Sequence, residues 1–271
     1  CGVYSANEFL TRNNLMKAYK DGSATPVMHA KKAVIVGGGN VAMDCARTSV
    51  RAGAESVTIA YRRRIEDMTA LHSEIDSAMQ EGVEMCVLQA PDHIEVENGH
   101  CTALYTQPQM IGPVKGGRPT PQKANKPLYR IEADIILIAV GQSIESEPFE
   151  QFGMEADRTY FQADEHLKAL HGPDNVFVGG DCQVGPKTVI VAIGAGKVAA
   201  RNIDDYLGFD HELDCGATAP APKPNNRVAC GRVNLVERPA YQRKHDFDAV
   251  EVEMSLEEAQ QECGRCLRCD H

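Results

Sequence analysis

Residues 31–44, which read Lys-Lys-Ala-Val-Ile-Val-Gly-Gly-Gly-Asn-Val-Ala-Met-Asp, decide the fold of this 271-residue chain. The β-branched run at residues 33–36 is typical of a buried parallel strand, and three glycines follow it directly. In the pattern Gly37-x-Gly39-x-x-Ala42, the first glycine allows a tight turn, the second lets a ligand approach the backbone, and the alanine permits close helix packing. The pattern predicts a strand–turn–helix unit that binds a dinucleotide pyrophosphate at the helix N-terminus.

The end of a second predicted strand, residues 57–60, indicates which nicotinamide nucleotide the site would take. An NAD site usually carries an acidic residue about 20 positions after the glycines, where it accepts a hydrogen bond from the ribose 2′-hydroxyl. This chain has Arg62, Arg63 and Arg64 there instead. Guanidinium groups bind phosphate in bidentate geometry, and no carboxylate stands at these positions to repel a 2′-phosphate. The sequence therefore favours NADP(H), and a solvated basic surface run is the alternative interpretation.

The remaining pattern is that of an α/β protein with a parallel sheet. A helix over residues 68–79 is predicted from apolar residues on one face, and it ends at Gly82. Further strands are predicted at residues 83–88, 94–96, 104–107 and 134–140. Residues 112–127 are rich in glycine, proline and lysine and are predicted as an exposed loop. The order strand–helix–strand–helix is typical of the start of a doubly wound sheet.

A second candidate site lies after a short strand predicted at residues 176–178. Gly180 and Asp181 follow this strand, and a helix is predicted to begin at Thr188 and Val189. A carboxylate at the carboxyl end of a strand can accept a hydrogen bond from a ribityl hydroxyl, and the helix N-terminus can face a second pyrophosphate or a flavin edge. The alternative is a strand–turn–helix unit with a packing role only.

Three cysteines near the end of the chain, Cys263, Cys266 and Cys269, have the spacing of metal ligands. They match the first three positions of the run C-x2-C-x2-C-x3-C-P, which binds iron–sulfur clusters. Short cysteine spacings also occur in zinc knuckles and in dithiol pairs. A [4Fe–4S] cluster, a zinc site and uncommitted thiols therefore stay open as interpretations of these residues.

Composition excludes several classes of function. The chain has 28 lysine and arginine residues against 38 aspartate and glutamate residues, a net charge of −10, which does not favour binding to nucleic acid or to anionic membranes. Its longest apolar run, residues 135–140, is far shorter than a membrane-spanning helix. Ten cysteines without a visible export signal indicate a reducing, cytoplasmic compartment. Because the chain starts at Cys1 and stops within a cysteine pattern, we expect it to be part of a longer polypeptide.

Four stretches taken together resemble the glutamate synthase small-subunit family, a branch of the FAD- and NAD(P)-dependent pyridine nucleotide oxidoreductases. They are residues 34–44, 57–63, 139–142 and 178–181. The resemblance covers residues 1–208, and residues 247–269 are similar to the C-terminal extension of some members. The glycine-rich FAD fingerprint near the N-terminus of the family is not found in this sequence.

The resemblance implies a fold with two dinucleotide-binding domains, in which a Rossmann-like NADP(H) domain is inserted into an FAD domain. This sequence would carry the C-terminal half of that FAD domain. The implied divisions are a connector (1–30), the NADP(H) domain (31–145), the half FAD domain (146–208), an extended linker (209–254) and a C-terminal helix with the cysteine cluster (255–271).

The same resemblance implies which residues contact each cofactor. Gly37, Gly38, Gly39, Asn40 and Val41 would lie along the nicotinamide nucleotide, Arg62 and Arg63 would hold its 2′-phosphate, and Gly141 would close over it; Gly180, Asp181, Thr188 and Val189 would lie along FAD. The implied function is hydride transfer from NADPH to FAD, with electrons passed on to iron–sulfur centres in an electron-transfer partner subunit or iron–sulfur protein. A non-catalytic NADP(H)-binding or assembly module of a larger electron-transfer complex is the alternative.

Overall fold

A computed structural model describes residues 1–26, 28–157, 160–212 and 230–265 of the chain. The chain divides into two compact units. Unit 1 comprises residues 1–140 together with 225–271, and unit 2 comprises residues 141–224. The glycine turn and the arginines of the predicted nucleotide site belong to unit 1, whereas Gly141 and the residues predicted to contact flavin belong to unit 2.

The described residues form strands and helices in the following order along the chain. The strands are β1 (Val3–Ser5), β2 (Lys32–Val36), β3 (Ser56–Tyr61), β4 (Glu84–Val87), β5 (Gln89–Glu97), β6 (His100–Lys115), β7 (Arg118–Lys123), β8 (Tyr129–Glu132), β9 (Ile135–Ile138), β10 (Ala156–Asp157) and β11 (Tyr160–Phe161). The α-helices are α1 (Ala6–Leu10), α2 (Asn40–Arg51), α3 (His72–Gln80), α4 (Glu147–Glu150), α5 (Asp181–Val184), α6 (Val189–Tyr206), α7 (Ala240–Arg243) and α8 (Leu256–Arg265). A π-helical segment, Thr11–Leu15, continues α1, and a 3₁₀ turn, Ile65–Asp67, follows β3.

Five parallel strands form the central sheet of unit 1, in the order β1–β9–β2–β3–β4. The strand that precedes the glycines, β2, has β3 on one side and the much later β9 on the other. The order of strands reverses between β2 and β9, and ligands of open α/β sheets bind outside the carboxyl ends of the strands at such a switch point. The topology therefore places the glycine turn where a nucleotide site is expected.

The two faces of this sheet are covered by different structures. Side chains alternate between the faces along a strand. Ala33 and Ile35 of β2 pack into one core with residues of α2 and α3, whereas Val34 and Val36 pack into a second core with residues of the antiparallel strand β6. Helices thus cover one face and antiparallel strands cover the other, where a doubly wound sheet would carry helices on both.

The antiparallel sheet consists of β5 to β8 and is inserted between β4 and β9. The prediction of an exposed loop at residues 112–127 is wrong, because β6 continues to Lys115 and β7 begins at Arg118. Gly116 and Gly117 form a two-residue turn with φ of +57° and +76°, which glycine adopts without strain. Prolines are tolerated in β7 because it is an edge strand. We call β6, β7 and this turn the β6–β7 hairpin.

A buried ion cluster joins the C-terminal segment to the helices of unit 1. Glu81, which follows α3, has a fully buried side chain. Arg243 Nε on α7 lies 2.7 Å from Glu81 Oε1, Arg47 Nη2 lies 2.9 Å from the same oxygen, and Arg51 Nη1 lies 3.0 Å from Glu81 Oε2. Burial alone would raise the pKa of Glu81, but the guanidiniums outweigh it and hold this pKa below its ordinary value. We call these four residues the Glu81 cluster; through Arg243 it anchors residues of the segment predicted as an extended linker.

Predictions for the later elements differ in outcome. The prediction of a short strand at residues 176–178 is wrong. The segment forms an isolated bridge, Phe177 with Lys168, flanked by hydrogen bonds from Ala169 N to Val176 O and from Val178 N to Leu167 O. The prediction of a helix after Thr188 is confirmed by α6. The capping of α8 is also confirmed: the side chain of Ser255 accepts from the backbone of Glu258, and the side chain of Glu258 accepts from the backbone of Ser255. None of the helices in the described ranges is both long and apolar enough to cross a membrane.

Candidate functional site

The glycines after β2 form a tight turn at the switch point of the sheet. Gly37 N donates to Ala60 O at 3.2 Å, and Gly37 has a φ of +151° with the carbonyl of Ala139 where a Cβ would stand. At Gly38 an added Cβ would lie 2.6 Å from the ring of Tyr61. A side chain at either position would collide with the backbone or with the ring. Both glycines are therefore required by packing as well as by the turn.

The N-terminus of α2 presents backbone donors rather than side chains. Gly39 is the extended N-cap, with φ −102° and ψ 177°, and the first N–H groups of a helix have no intrahelical acceptor. The side chain of Asn40 is engaged elsewhere, because its Oδ1 accepts from Leu71 N at 2.9 Å. Val41 is exposed. The turn can thus offer an anion its backbone N–H groups and the positive end of the helix dipole.

The segment that follows β3 closes onto this turn. We call residues 62–70 the arginine loop. Thr69 N and Ala70 N donate to Gly38 O at 3.0 and 3.2 Å. These two hydrogen bonds hold the loop, and the arginines at its start, beside the glycine turn.

The three arginines of the loop differ in what they contact. Arg64 donates from Nε and Nη2 to the carboxylate of Asp67 at 2.9 and 3.0 Å, and this pairing holds the pKa of Asp67 below its ordinary value. Arg63 Nε donates to the carbonyl of Pro119 at 3.0 Å, and Arg62 is exposed. Across the described ranges, neither Arg62 nor Arg63 has a carboxylate partner. Arg64 is committed to a local ion pair, so two of the three arginines stay available to an anion.

A fourth arginine, Arg118 of the β6–β7 hairpin, joins this region and was missed in the sequence. Its Nη2 donates to the hydroxyl of Tyr61 at 3.0 Å and to the carbonyl of Asp67. The exposed-loop prediction for residues 112–127 concealed it. The signal that could have revealed it is the pair Gly116-Gly117, which is typical of a two-residue hairpin turn.

The residues predicted to lie along FAD belong to unit 2. Gly180 has a φ of +71° and is the N-cap of α5, so Asp181 is the first residue of a short helix, with its side chain exposed. Thr188 is the N-cap of α6 and makes no side-chain cap hydrogen bond, and Val189 is 76% exposed. Gly141 has a φ of +118° and open space where a Cβ would stand. These residues are thus exposed at loop ends and helix starts, except Gly180, which is half-buried.

The predicted metal ligands are only partly within the described residues. Cys263 is an exposed free thiol on α8, and Cys266 and Cys269 lie outside the described residues. Among the described residues, no group of three His, Cys, Asp or Glu side chains could hold a metal ion. Burial raises the pKa of Cys45 to about 12, so this thiol of the core stays protonated and unreactive.

Comparison with known families and proteins gives concordant matches. The family model described as pyridine nucleotide-disulphide oxidoreductase matches residues 5–196. The chain is 32% identical to the NADP(+)-dependent formate dehydrogenase subunit beta of Moorella thermoacetica over 90% of this chain and 36% of that protein. It is 32% identical to the glutamate synthase [NADPH] small chain of Escherichia coli, over 76% of this chain and 46% of that protein, which confirms the resemblance seen in the motifs.

A third relative shows the same partial coverage. The NADPH-Fe(3+) oxidoreductase subunit beta of Geobacter sulfurreducens is 30% identical, over 90% of this chain and 42% of that protein. The chain therefore spans less than half the length of each of these relatives.

Solved structures support the fold. Thioredoxin reductase from Lactococcus lactis superposes with a TM-score of 0.56 at 19% identity, and FprA from Mycobacterium tuberculosis in complex with NADPH superposes with a TM-score of 0.57 at 15% identity. Each match covers 76% of this chain and 58% of the other. The predicted fold class, a Rossmann-like domain within the flavoprotein fold of two dinucleotide-binding domains, is confirmed.

Proposed function

Since this chain belongs to the pyridine nucleotide-disulphide oxidoreductase family, whose members are NAD(P)H-dependent flavin oxidoreductases, we propose that it is the NADPH-binding module of an electron-transfer enzyme. In this enzyme NADPH passes hydride to FAD, and electrons continue to iron–sulfur centres. The relatives are named as a subunit beta or a small chain of larger enzymes, which supports an electron-transfer partner subunit or iron–sulfur protein for this chain as well.

One observation carries the proposal for NADPH. The arginine loop is hydrogen-bonded to the glycine turn, and it brings Arg62 and Arg63, without carboxylate partners in the described ranges, beside the N-terminus of α2. The backbone N–H groups of the turn fit a pyrophosphate, and the guanidiniums fit a 2′-phosphate. The side chain of Asn40 accepts a hydrogen bond from Leu71 N, which holds the residue after the arginine loop at the start of α2. The residues of unit 1 therefore match the chemistry of NADP(H).

The proposal for FAD rests on unit 2. We assign the carboxylate of Asp181 to a ribityl hydroxyl and the N-terminus of α6, at Thr188 and Val189, to the pyrophosphate or the flavin edge. Gly180 supplies the sharp entry into α5. We assign Gly141 to the closure over the nicotinamide nucleotide that the family resemblance implies. Hydride transfer is the chemistry that the two cofactors supply when bound, while the residues of the chain bind and orient them.

We further assign Cys263, Cys266 and Cys269 to a [4Fe–4S] cluster and place the protein in the cytoplasm. The described cysteines are free thiols, which is typical of a reducing compartment. Iron and zinc analysis of anaerobically purified protein, compared with Cys263→Ser, distinguishes the cluster from the alternatives. Iron that is lost in the variant supports the cluster; zinc, or no metal, contradicts it.

The nucleotide proposal is tested by calorimetric titration with NADPH and NADH. We expect NADPH to bind more tightly. Losing one or two charge-assisted hydrogen bonds worth ~1.5–3 kcal/mol should make Arg62→Ala/Arg63→Ala bind NADPH roughly 10- to 100-fold more weakly. Its affinity for NADH should change less than about twofold. Arg12→Ala, in the same unit but outside the arginine loop, is the control and should bind like the wild type.

The catalytic part of the proposal needs a separate measurement. Anaerobically purified protein should show flavin absorbance and NADPH-dependent reduction of an artificial dye. NADPH binding without either would indicate a non-catalytic binding or assembly module instead. Absence of binding to both nucleotides would contradict the NADPH site itself.

A further inference from the structure

We propose that Arg118 of the β6–β7 hairpin is a third guanidinium that contacts the 2′-phosphate of NADP(H), so that the inserted antiparallel sheet takes part in nucleotide selection. The proposal rests on the function proposed above and deepens it. It assigns a specificity-determining role to a residue far from the glycine motif in sequence.

The position of Arg118 links it to the predicted nucleotide site. Arg118 is the first residue of β7, directly after the Gly116-Gly117 turn. Its Nη2 donates to the hydroxyl of Tyr61 at 3.0 Å and to the carbonyl of Asp67. The ring of Tyr61 in turn lies where a Cβ of Gly38 would stand. Arg118 is thereby linked through one side chain to the glycine turn and through one carbonyl to the arginine loop.

Hydrogen bonds hold the β6–β7 hairpin rigidly against the end of β3. Arg63 Nε donates to Pro119 O at 3.0 Å, and Leu88 N donates to Arg63 O at 3.0 Å. Gln109 N of the hairpin donates to Leu88 O at 2.7 Å. The end of β3 and the hairpin are therefore tied at several points, by backbone groups as well as by a side chain. A guanidinium held in this way loses little conformational entropy when an anion binds, which favours binding.

The positive charge of Arg118 is not neutralised by an ion pair in the described residues. Across the ranges that the structure describes, Arg118 has no carboxylate within ion-pair distance, and both of its hydrogen bonds use Nη2. Asp67, whose pKa is lowered chiefly by the hydrogen bond from Arg64 and to a smaller degree by the charge of Arg118, is already paired with Arg64. The arginine loop and Arg118 together contribute four guanidiniums, at residues 62, 63, 64 and 118, whereas the loop contributes two carboxylates, Glu66 and Asp67, both of which contact Arg64. The excess positive charge and the donors left on Nε and Nη1 of Arg118 fit a phosphate dianion.

The test uses two probes that differ by the 2′-phosphate alone, 2′,5′-ADP and 5′-AMP, titrated into the 271-residue chain. Arg118→Gln removes the charge, and Arg118→Lys keeps it on a different side chain. Lys123→Gln is the matched control, since it removes one positive charge from the other end of the same strand, where Lys123 is exposed. Five residues of strand separate the two sites by roughly 17 Å, about two Debye lengths at physiological salt.

We expect Arg118→Gln to weaken the binding of 2′,5′-ADP about tenfold, which corresponds to loss of one charge-assisted contact. The affinity for 5′-AMP should stay within about twofold of the wild-type value. Arg118→Lys should recover part of the loss, and Lys123→Gln should bind both probes like the wild type. Circular dichroism and the thermal midpoint verify folding. If Arg118→Gln does not fold, Arg118→Lys tests the assignment instead, through the ratio of its affinities for 2′,5′-ADP and 5′-AMP compared with the wild-type ratio.

Two results would overturn the assignment. Equal weakening of both probes would make Arg118 a residue that only holds the arginine loop, and unchanged affinity for 2′,5′-ADP would remove it from the site. A wild-type chain that binds neither probe nor NADPH would instead refute the proposed function, and the role of Arg118 with it. If only the role of Arg118 is wrong, the chain still binds NADPH strongly, and this binding still depends on Arg62 and Arg63.

Discussion

The Glu81 cluster and the arginine loop are two groups of arginines in the same unit with opposite surroundings. In the Glu81 cluster, three guanidiniums converge on one buried carboxylate, and Arg243 is 2% exposed. In the arginine loop, Arg63 donates to a backbone carbonyl, and no carboxylate in the described ranges pairs with it. The nearby Arg118 likewise contacts a hydroxyl and a carbonyl.

The partner of an arginine, rather than its presence, therefore indicates its role. A buried guanidinium must be neutralised, since an unpaired buried charge is strongly unfavourable. Such an arginine serves architecture, here by anchoring the C-terminal segment. An arginine held by neutral acceptors at the surface keeps its charge available. The two groups should therefore respond to mutation in different assays, stability in one case and nucleotide preference in the other.

The largest expected effect is on the Glu81 cluster. Glu81→Ala removes the carboxylate that three guanidiniums share. Arg47 and Arg243 keep Glu74 and Glu237, whereas Arg51 loses its one carboxylate partner in the described ranges. Breaking a buried ion pair in this way costs about 3–5 kcal/mol of unfolding free energy. Urea unfolding followed by circular dichroism measures it. Glu8→Gln, which breaks the exposed pair of Glu8 with Arg12, is the control and should cost ~0.5 kcal/mol or less. Comparable losses in the two variants would contradict the distinction.

Lowering the pH should destabilise the protein through the same cluster. The folded pKa of Glu81 lies below its ordinary value of 4.5. Its contribution to stability is therefore complete above about pH 4.5 and is lost as the pH falls through the folded pKa. The urea midpoint of the wild type should fall below pH 4.5 more steeply than that of Glu81→Gln. Parallel pH profiles for the two proteins would show that Glu81 does not titrate with this sign.

An intermediate effect is expected at the glycine turn, which supports the arginine loop. Gly38→Ala would place a Cβ 2.6 Å from the ring of Tyr61, and such overpacking costs about 1–3 kcal/mol. Because Tyr61 also holds Arg118, NADPH affinity should fall as well. At Gly39 the nearest atom to an added Cβ is Thr69 Oγ1 at 3.4 Å. Gly39→Ser should therefore retain stability and lose nucleotide affinity only; a stable Gly38→Ala would contradict the tight contact.

The smallest effect is expected at Arg64, which differs from the other arginines of the loop in having a carboxylate partner. Arg64 is paired with Asp67, so Arg64→Ala should leave the preference for NADPH over NADH within about twofold. Loss of this surface ion pair should lower the unfolding free energy much less than Glu81→Ala does. Calorimetric titration and urea unfolding of this one variant test both statements. A loss of NADPH preference as large as that expected for Arg62→Ala/Arg63→Ala would place Arg64 in the site.

Local pattern was sufficient for the parts of the fold in which neighbours in sequence are neighbours in space. The β-branched run of β2, the glycines and α2 form one continuous unit, and the Ser255–Glu258 capping box lies within four residues. Composition was misleading for the β6–β7 hairpin, because glycine and proline are typical both of loops and of edge strands with tight turns. Residues 176–178 have the composition of a strand, but a strand requires pairing along several residues, and this segment makes only an isolated bridge, Phe177 with Lys168.

The dinucleotide-binding class and the family follow from the amino-acid sequence, since these depend on residue types at short, fixed spacings. The sequence also identified Arg62 and Arg63 as the phosphate candidates. The folded structure was needed to show that Arg64 is paired, that Arg118 reaches Tyr61 from 57 positions away, and that Arg243 contacts Glu81 from 162 positions away. The physical reason is that the charge available to a ligand depends on which partners the folded chain brings within a few ångströms, and sequence spacing does not encode those contacts.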